Sequence, residues 1–201
     1  MKLYFKPGAC SLAPHIVLRE LGLSFELDRV DTKAGKTANG KEFRSINPKG
    51  YVPTLQLEDG TVLTEGVAIL QYLADRKPEL GLAPKLDSVE RYQLQEWLNY
   101  VATELHKGFG GPLFTGASDE TKRAVRETYS NKLDFVSERL KAHQFLLGER
   151  FTVADAYLFT VLSWSNGRGI ELERWPVLKQ YFDRIAARPA TRAARQAEGM
   201  A

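Results

Sequence analysis

The sequence predicts an α/β domain followed by an all-α domain, and three observations predict it. The chain opens as strand, helix, strand; two further short β-favouring runs are joined by a turn; and after Ser88 no convincing strand pair appears.

Leu3, Tyr4 and Phe5 form the core of a first strand, Lys2 to Phe5, which Pro7-Gly8 breaks. Leu12, Ile16, Val17 and Leu21 then recur at helical spacing, and Gly22 stops the helix, which is expected to carry Cys10 near its start. Phe25 to Val30 alternates as a second strand. Because a helix separates the two, they should lie parallel in a right-handed βαβ unit. Asp31 to Ser45 is polar, with Lys33, Lys36 and Lys41 among Gly35 and Gly40, and reads as a loop with a short helix. Val52-Pro53 leads into Thr54 to Leu57, and Glu58-Asp59-Gly60 turns that strand into Thr61 to Leu63. Pro53 sits where its missing N–H is not needed, and either peptide isomer fits the pattern. Thr64-Glu65-Gly66 then starts a helix with Val67, Leu70 and Leu73 on one face.

A first domain, residues 1–80, therefore ends at a linker, 81–87, marked by the stretch Pro78 to Leu86, and a helical domain fills 88–201. Breaks at Gly108 to Pro112, Gly148, Gly167 to Gly169 and Arg188-Pro189 separate its helices. Thr152-Val153-Ala154-Asp155 marks one helix start, with Thr152 as N-cap and an acid at N3 ahead of the apolar run Ala156 to Leu162. That run reads as a buried element that serves folding.

Composition narrows the function classes. A chain of 201 residues, 43% hydrophobic and 26% charged, suits one large or two small globular domains. The net charge of +3, from 28 basic and 25 acidic residues spread along the chain, points away from nucleic acid and remains compatible with a small anionic ligand. No apolar run approaches the roughly eighteen residues of a membrane span. A single cysteine and the absence of a secretory pattern at the N-terminus point to a reducing, cytoplasmic compartment.

The cysteine is Cys10, at the junction of the first strand and helix. By residue type a lone cysteine is a small buried hydrophobe. At a helix start, however, unpaired N–H groups and the dipole favour an anionic sulfur. Position 13 is Ala13, so a C-x-x-C dithiol is missing and a site that handles another molecule's thiol is favoured. On the helix from Ser88, 100° per residue gathers Trp97, Leu98, Val101 and Leu105 on one side and Asn99, Thr103 and His106 roughly opposite, a polar stripe that reads equally as solvated surface or as site. Glu65-Gly66 at a helix start could hold an amino-acid moiety by its ammonium and carboxylate, and equally could serve the helix dipole.

Together these stretches resemble the cytosolic glutathione transferases of the bacterial beta class. The resemblance rests on Lys6 to Leu12, Asn47 to Pro53, Leu63 to Ile69, Glu96 to Tyr100, Glu104 to Lys107 and Phe151 to Leu158, all in register along the chain. It implies a thioredoxin-like N-terminal domain, an all-helical C-terminal domain, a homodimer, and glutathione as co-substrate without a prosthetic group or metal. It places Val52 and the cis-type Pro53 against the cysteinyl residue of glutathione, Glu65 and Gly66 at its γ-glutamyl end, and Cys10 and His106 by its sulfur as the catalytic pair. Ala9, Asn99, Thr103 and Lys107 match further glutathione contacts, some of them across the dimer. The class often has tyrosine where this chain has Phe5, with the hydroxyl next door on Tyr4 and so on the opposite strand face. A lysine that meets the glycyl carboxylate in some members falls at Gly35, leaving Lys36 or Lys33 to supply it.

The implied reaction is attack of the glutathione thiol on a small hydrophobic electrophile, with dehalogenation and peroxide reduction within reach. The electrophile should lie against Gly108 to Phe114 and Trp164 to Ile170. The alternatives are thiol-disulfide exchange through a Cys10 mixed disulfide, and a binding or scaffold protein that keeps the fold without turnover.

Overall fold

In the computed structural model, which describes residues 1–110, 116–165 and 168–200, β1 (Lys2–Phe5) runs parallel to β2 (Glu26–Asp31), with Lys2 opposite Glu26 and Phe5 opposite Arg29. The connection is α1 (Leu12–Glu20), so the expected βαβ unit is present. A two-residue strand, β3 (Lys36–Thr37), pairs antiparallel with the far end of β2. It falls where a loop was expected. Gly35, at φ +70°, reverses the chain just before it, and two residues are too few to carry a period. β4 (Thr54–Gln56) and β5 (Val62–Thr64) form the expected hairpin, β4 lying antiparallel to β1, and the sheet order is β3-β2-β1-β4-β5. α2 (Gly66–Asp75) follows directly.

Alternation along β1 separates two faces. Tyr4 packs with Val30, Phe43 and Val52, while the Phe5 ring lies 6.3 Å from that of His15 on α1. The separation expected for Tyr4 and Phe5 is therefore present.

Residues Gly81–Ala186 form a second compact unit. α3 (Val89–Tyr100) begins at Ser88, whose hydroxyl accepts the Arg91 N–H at 3.1 Å. Ser88→Ala should cost about 1 kcal/mol, the usual worth of an N-cap, read as a shift in the urea unfolding midpoint. α3 passes through a π-helical segment, Val101–His106, into α4 (Lys107–Gly110), so the chain is still helical where a break at Gly108 was expected. Gly111, Pro112 and Gly167 of the expected breaks lie outside the described residues. α5 (Asp119–Lys141), α6 (Val153–Leu162) and α7 (Pro176–Ala186) complete the unit.

Every residue of α6 is buried. Its start is held by Asp155, whose carboxylate accepts the Thr152 N–H and hydroxyl, each at 2.8 Å, and the Leu146 N–H and Tyr181 hydroxyl, each at 2.9 Å.

The chain end departs from the expected domain boundary, because Ala187–Ala201 groups with Met1–Leu80. α8 (Pro189–Ala197) is preceded by Arg188, which grips Glu20 with bonds of 2.6 and 3.0 Å. Glu198 is almost fully buried, at 6% exposure. One of its oxygens accepts from His15 Nδ1 at 2.8 Å and the other from the Gly8 N–H at 3.0 Å. Arg19 Nε donates to His15 Nε2 at 2.9 Å, which leaves Nδ1 as the donor to Glu198. A buried carboxylate with these partners ties the last turn to the segment that precedes Cys10.

Candidate active site

The turn Pro7-Gly8-Ala9-Cys10-Ser11 is closed by its own bonds. The Lys6 N–H donates to Ser11 Oγ at 3.1 Å, the Ser11 hydroxyl returns a bond to Lys6 O at 3.2 Å, and the Ala9 N–H reaches Lys6 O at 3.1 Å. Cys10 lies in this turn, two residues before α1, rather than in the helix as expected. Its half-buried Sγ donates to the Val52 carbonyl at 3.3 Å. That partner suits a thiol, since a thiolate would face the oxygen's lone pairs.

The Val52–Pro53 peptide is cis. Val52 belongs to the buried cluster of Tyr4, Val30 and Phe43, against which Ala9 also packs. Buried Asn47 braces this segment, its side-chain amide donating to Tyr51 O at 2.8 Å and to Thr54 Oγ1 at 2.9 Å. Glu65 has φ +68°, a left-handed conformation that costs a non-glycine residue free energy and recurs at functional sites. Its carboxylate accepts from Lys49 Nζ and, at 3.2 Å, from the Tyr51 hydroxyl, while Lys49 also reaches Thr64 Oγ1 at 3.0 Å. The hydrogen bond to Glu65 holds the Lys49 ammonium above the ordinary lysine value. Gly66 opens α2 with no side chain capping it, and a Cβ there would stand 3.8 Å from Pro53. Cys10, Ala9, Val52, Pro53, Glu65 and Gly66 thus all belong to the first unit. Lys36 is on the β3 edge and pairs with Glu42 at 3.4 Å. Tyr4 gives its hydroxyl to Gln56 at 3.0 Å.

In the helical unit, Leu98, Val101 and Leu105 are buried as the spacing expects. The polar stripe does not hold together. Asn99 and Thr103 are exposed, the Thr103 hydroxyl bonding Asn99 O at 3.0 Å, whereas His106 is half-buried with Nδ1 2.7 Å from the Tyr157 hydroxyl. The reason is the π-helical segment, whose wider turn breaks the 100° rule by which the stripe was drawn. The His106 ring also stands edge-on to Trp164, with centroids 4.9 Å apart. Lys107 is exposed. Of the expected electrophile lining, Gly111 to Phe114, Asn166 and Gly167 lie outside the described residues.

Burial, aided by the charge of Lys107, lowers the His106 pKa from 6.5 to about 4. The unfolded chain therefore takes up this proton first as pH falls. The resulting loss of stability begins near pH 6.5 and is complete near 4, reaching about 2 kcal/mol by pH 5. Urea midpoints of the wild type and His106→Gln measured from pH 7 to 5 should diverge accordingly, the variant having the shallower slope.

Comparison with known proteins decides the family. The model of the glutathione S-transferase N-terminal domain matches residues 8–76, and that of the C-terminal domain matches residues 97–189. Glutathione S-transferase GstA of Escherichia coli O157:H7 is 50% identical over 201 residues, all of both chains. The chain belongs to the glutathione S-transferase family. Two solved structures, each 46% identical with a TM-score of 0.95 over 100% of both chains, are a sphingomonad glutathione S-transferase complexed with glutathione and a bacterial beta class glutathione S-transferase of Sphingomonas chungbukensis. The expected fold and beta class resemblance are thus borne out, and the chain is a transferase with glutathione as co-substrate.

For this glutathione S-transferase, sequence reasoning overlooked four residues that hold the candidate site groups. Lys49 and Tyr51 hold Glu65, Asn47 braces the Val52 segment, and Tyr157 holds His106. Lys49 and Tyr51 lie within a stretch already matched to the family, yet their partner is at a sequence distance that no period spans. Among the described residues no group of three or more His, Cys, Asp or Glu is placed to hold a metal ion, and no helix is long and apolar enough to cross a membrane.

Proposed function

We propose that this transferase joins the glutathione thiol to small hydrophobic electrophiles, working as a homodimer in the cytoplasm. Glutathione lies along the first unit, its cysteinyl backbone pairing with Val52 in a short form of strand addition, beside Pro53 and Ala9. The Glu65 carboxylate takes the γ-glutamyl ammonium, and the Gly66 N–H at the start of α2 takes the adjoining carboxylate. Lys36 supplies charge for the glycyl carboxylate. From the helical unit, Asn99, Thr103 and Lys107 contribute further contacts and His106 an uncharged hydrogen-bonding group.

The observation that carries the reading is the placement of Glu65 and Gly66. A carboxylate held by Lys49 and Tyr51 stands on a left-handed backbone at the start of α2, and Gly66 beside it faces Pro53, whose neighbour Val52 meets Cys10. The sphingomonad relative complexed with glutathione supports it.

A free thiol with a pKa near 8.5 is only about 3% thiolate at pH 7, and making it mostly thiolate needs a shift of ~2 units, roughly 2.7 kcal/mol. A helix end supplies ~0.3–1 kcal/mol. Direct donors to the sulfur are therefore required, and Cys10, through its S–H or N–H, and His106 are assigned that part.

The test is turnover of glutathione with an aromatic halide, with and without the protein. Protein-dependent product is expected, and its absence together with failure to bind glutathione would overturn the reading. In the same assay Cys10→Ala should lose on the order of tenfold to a hundredfold in kcat, the worth of one hydrogen bond to a charged group. Full retention of kcat would remove the Cys10 side chain from conjugation.

A further inference from the structure

We propose that Tyr157 is a positioning residue that sets the tautomer of His106: its hydroxyl donates to Nδ1, so the ring proton sits on Nε2 and His106 acts as a hydrogen-bond donor rather than as a base. The proposal rests on the part given to His106 above, and adds which nitrogen carries the proton and what puts it there.

The contact between Nδ1 and the Tyr157 hydroxyl is 2.7 Å long, and two proton arrangements satisfy it. They are not equivalent. A phenol is the better proton donor of the two groups, with a pKa of about 10, and an imidazole nitrogen, whose conjugate acid has a pKa near 6.5, is a far better acceptor than a phenolic oxygen. The arrangement O–H to Nδ1 therefore wins, and Nε2–H is the tautomer that remains. Because burial keeps the His106 pKa at about 4, the ring holds a single proton near pH 7, and there is one site to assign it to.

Both partners are carried on supported backbone, which makes the contact pre-organised rather than incidental. Tyr157 is 4% exposed on α6, the helix buried along its whole length. His106 ends the π-helical segment, which α5 pins through Lys132. Lys132 Nζ pairs with the Glu104 carboxylate at 2.8 Å and donates to the Glu104 carbonyl at 3.2 Å, while the Tyr100 hydroxyl bonds Lys132 O at 3.2 Å. Trp164 fills the space beside the ring. A π-helical turn is a rare element that recurs at functional sites, and here its effect is to bring His106 out of line with Asn99 and Thr103 and onto Tyr157.

The experiment is two-bond 15N–1H correlation on histidine-labelled full-length protein at pH 7, with His106 assigned by comparison with His106→Gln. The proposal expects a pyridine-type Nδ1 and a pyrrole-type Nε2 in the wild type. Tyr157→Phe, which keeps the ring and its packing, should give mixed tautomers and lower kcat about two- to fivefold, with the KM for glutathione unchanged. A wild type protonated on Nδ1, or a Tyr157→Phe spectrum identical to that of the wild type, would overturn the proposal. His106→Gln turnover, measured alongside, separates this from the parent reading. Wild-type activity in that variant would remove His106 from the chemistry, while the nitrogen shifts would still decide the tautomer.

Discussion

Asp155→Ala should lose at least about 3 kcal/mol of stability, a large part of the 5–15 kcal/mol typical of a folded domain. The carboxylate satisfies four donors at 2.8–2.9 Å: two backbone N–H groups, the Thr152 hydroxyl and the Tyr181 hydroxyl. None of the four has bulk water to turn to, because Leu146, Thr152 and Tyr181 are buried along with Asp155. Each buried donor left without a partner costs about 1–3 kcal/mol, and local relaxation recovers only part of the sum. The bonds also join three pieces of chain, the Leu146 turn, the first turn of α6 and Tyr181 of α7, around a helix with no exposed face. Urea unfolding followed by circular dichroism is the measurement. A midpoint within 0.5 M of the wild type's, on the order of 1 kcal/mol, would contradict this account of the helical core.

The second large effect is on glutathione. Glu65→Ala should raise the KM for glutathione on the order of tenfold to a hundredfold, the loss of one charge-assisted hydrogen bond, while kcat at saturation stays near the wild-type value. The two changes part because the γ-glutamyl end is remote from the sulfur, so its contact is the same in ground and transition states. Fold stability should change little. The residue is exposed, and Lys49 and Tyr51, its partners, are then released to water. Glu65→Gln, which keeps an acceptor of the same shape without the charge, should fall between wild type and Glu65→Ala. A fall in kcat with unchanged KM would instead place Glu65 in the chemical step.

The parts of the fold legible in the sequence are those with a local period or a local stop. β1, α1, β2, the hairpin and α2 each carry several apolar residues at strand or helix spacing, and Glu58-Asp59-Gly60 needed no tertiary information to be read as a turn. β3 is two residues long and has no period to show. The π-helical segment lies inside a continuous helical pattern, so the polar stripe was drawn with the wrong rotation and His106 was set beside Asn99 instead of Tyr157.

The candidate site divides in the same way. Cys10, Glu65 and Gly66 stand at element junctions, and local chemistry marked them before the family resemblance did. Tyr157 sits in a run that is apolar on every side, so no face singled it out. Glu198, which bonds His15 and Gly8 from the other end of the chain, has no local signature at all. A contact between residues 183 positions apart is a product of packing that no window of sequence contains.

Glutathione is expected along the first unit with its sulfur served by direct donors. A crystal structure of the enzyme with reduced glutathione bound tests it most directly. Such a structure should show the cysteinyl backbone paired with Val52, the γ-glutamyl end at Glu65 and Gly66, and the glutathione sulfur unbonded to Cys10 but within hydrogen-bond reach of a donor. Glutathione seated away from Val52 and Glu65, or a covalent bond between its sulfur and Cys10 under reducing conditions, would contradict it.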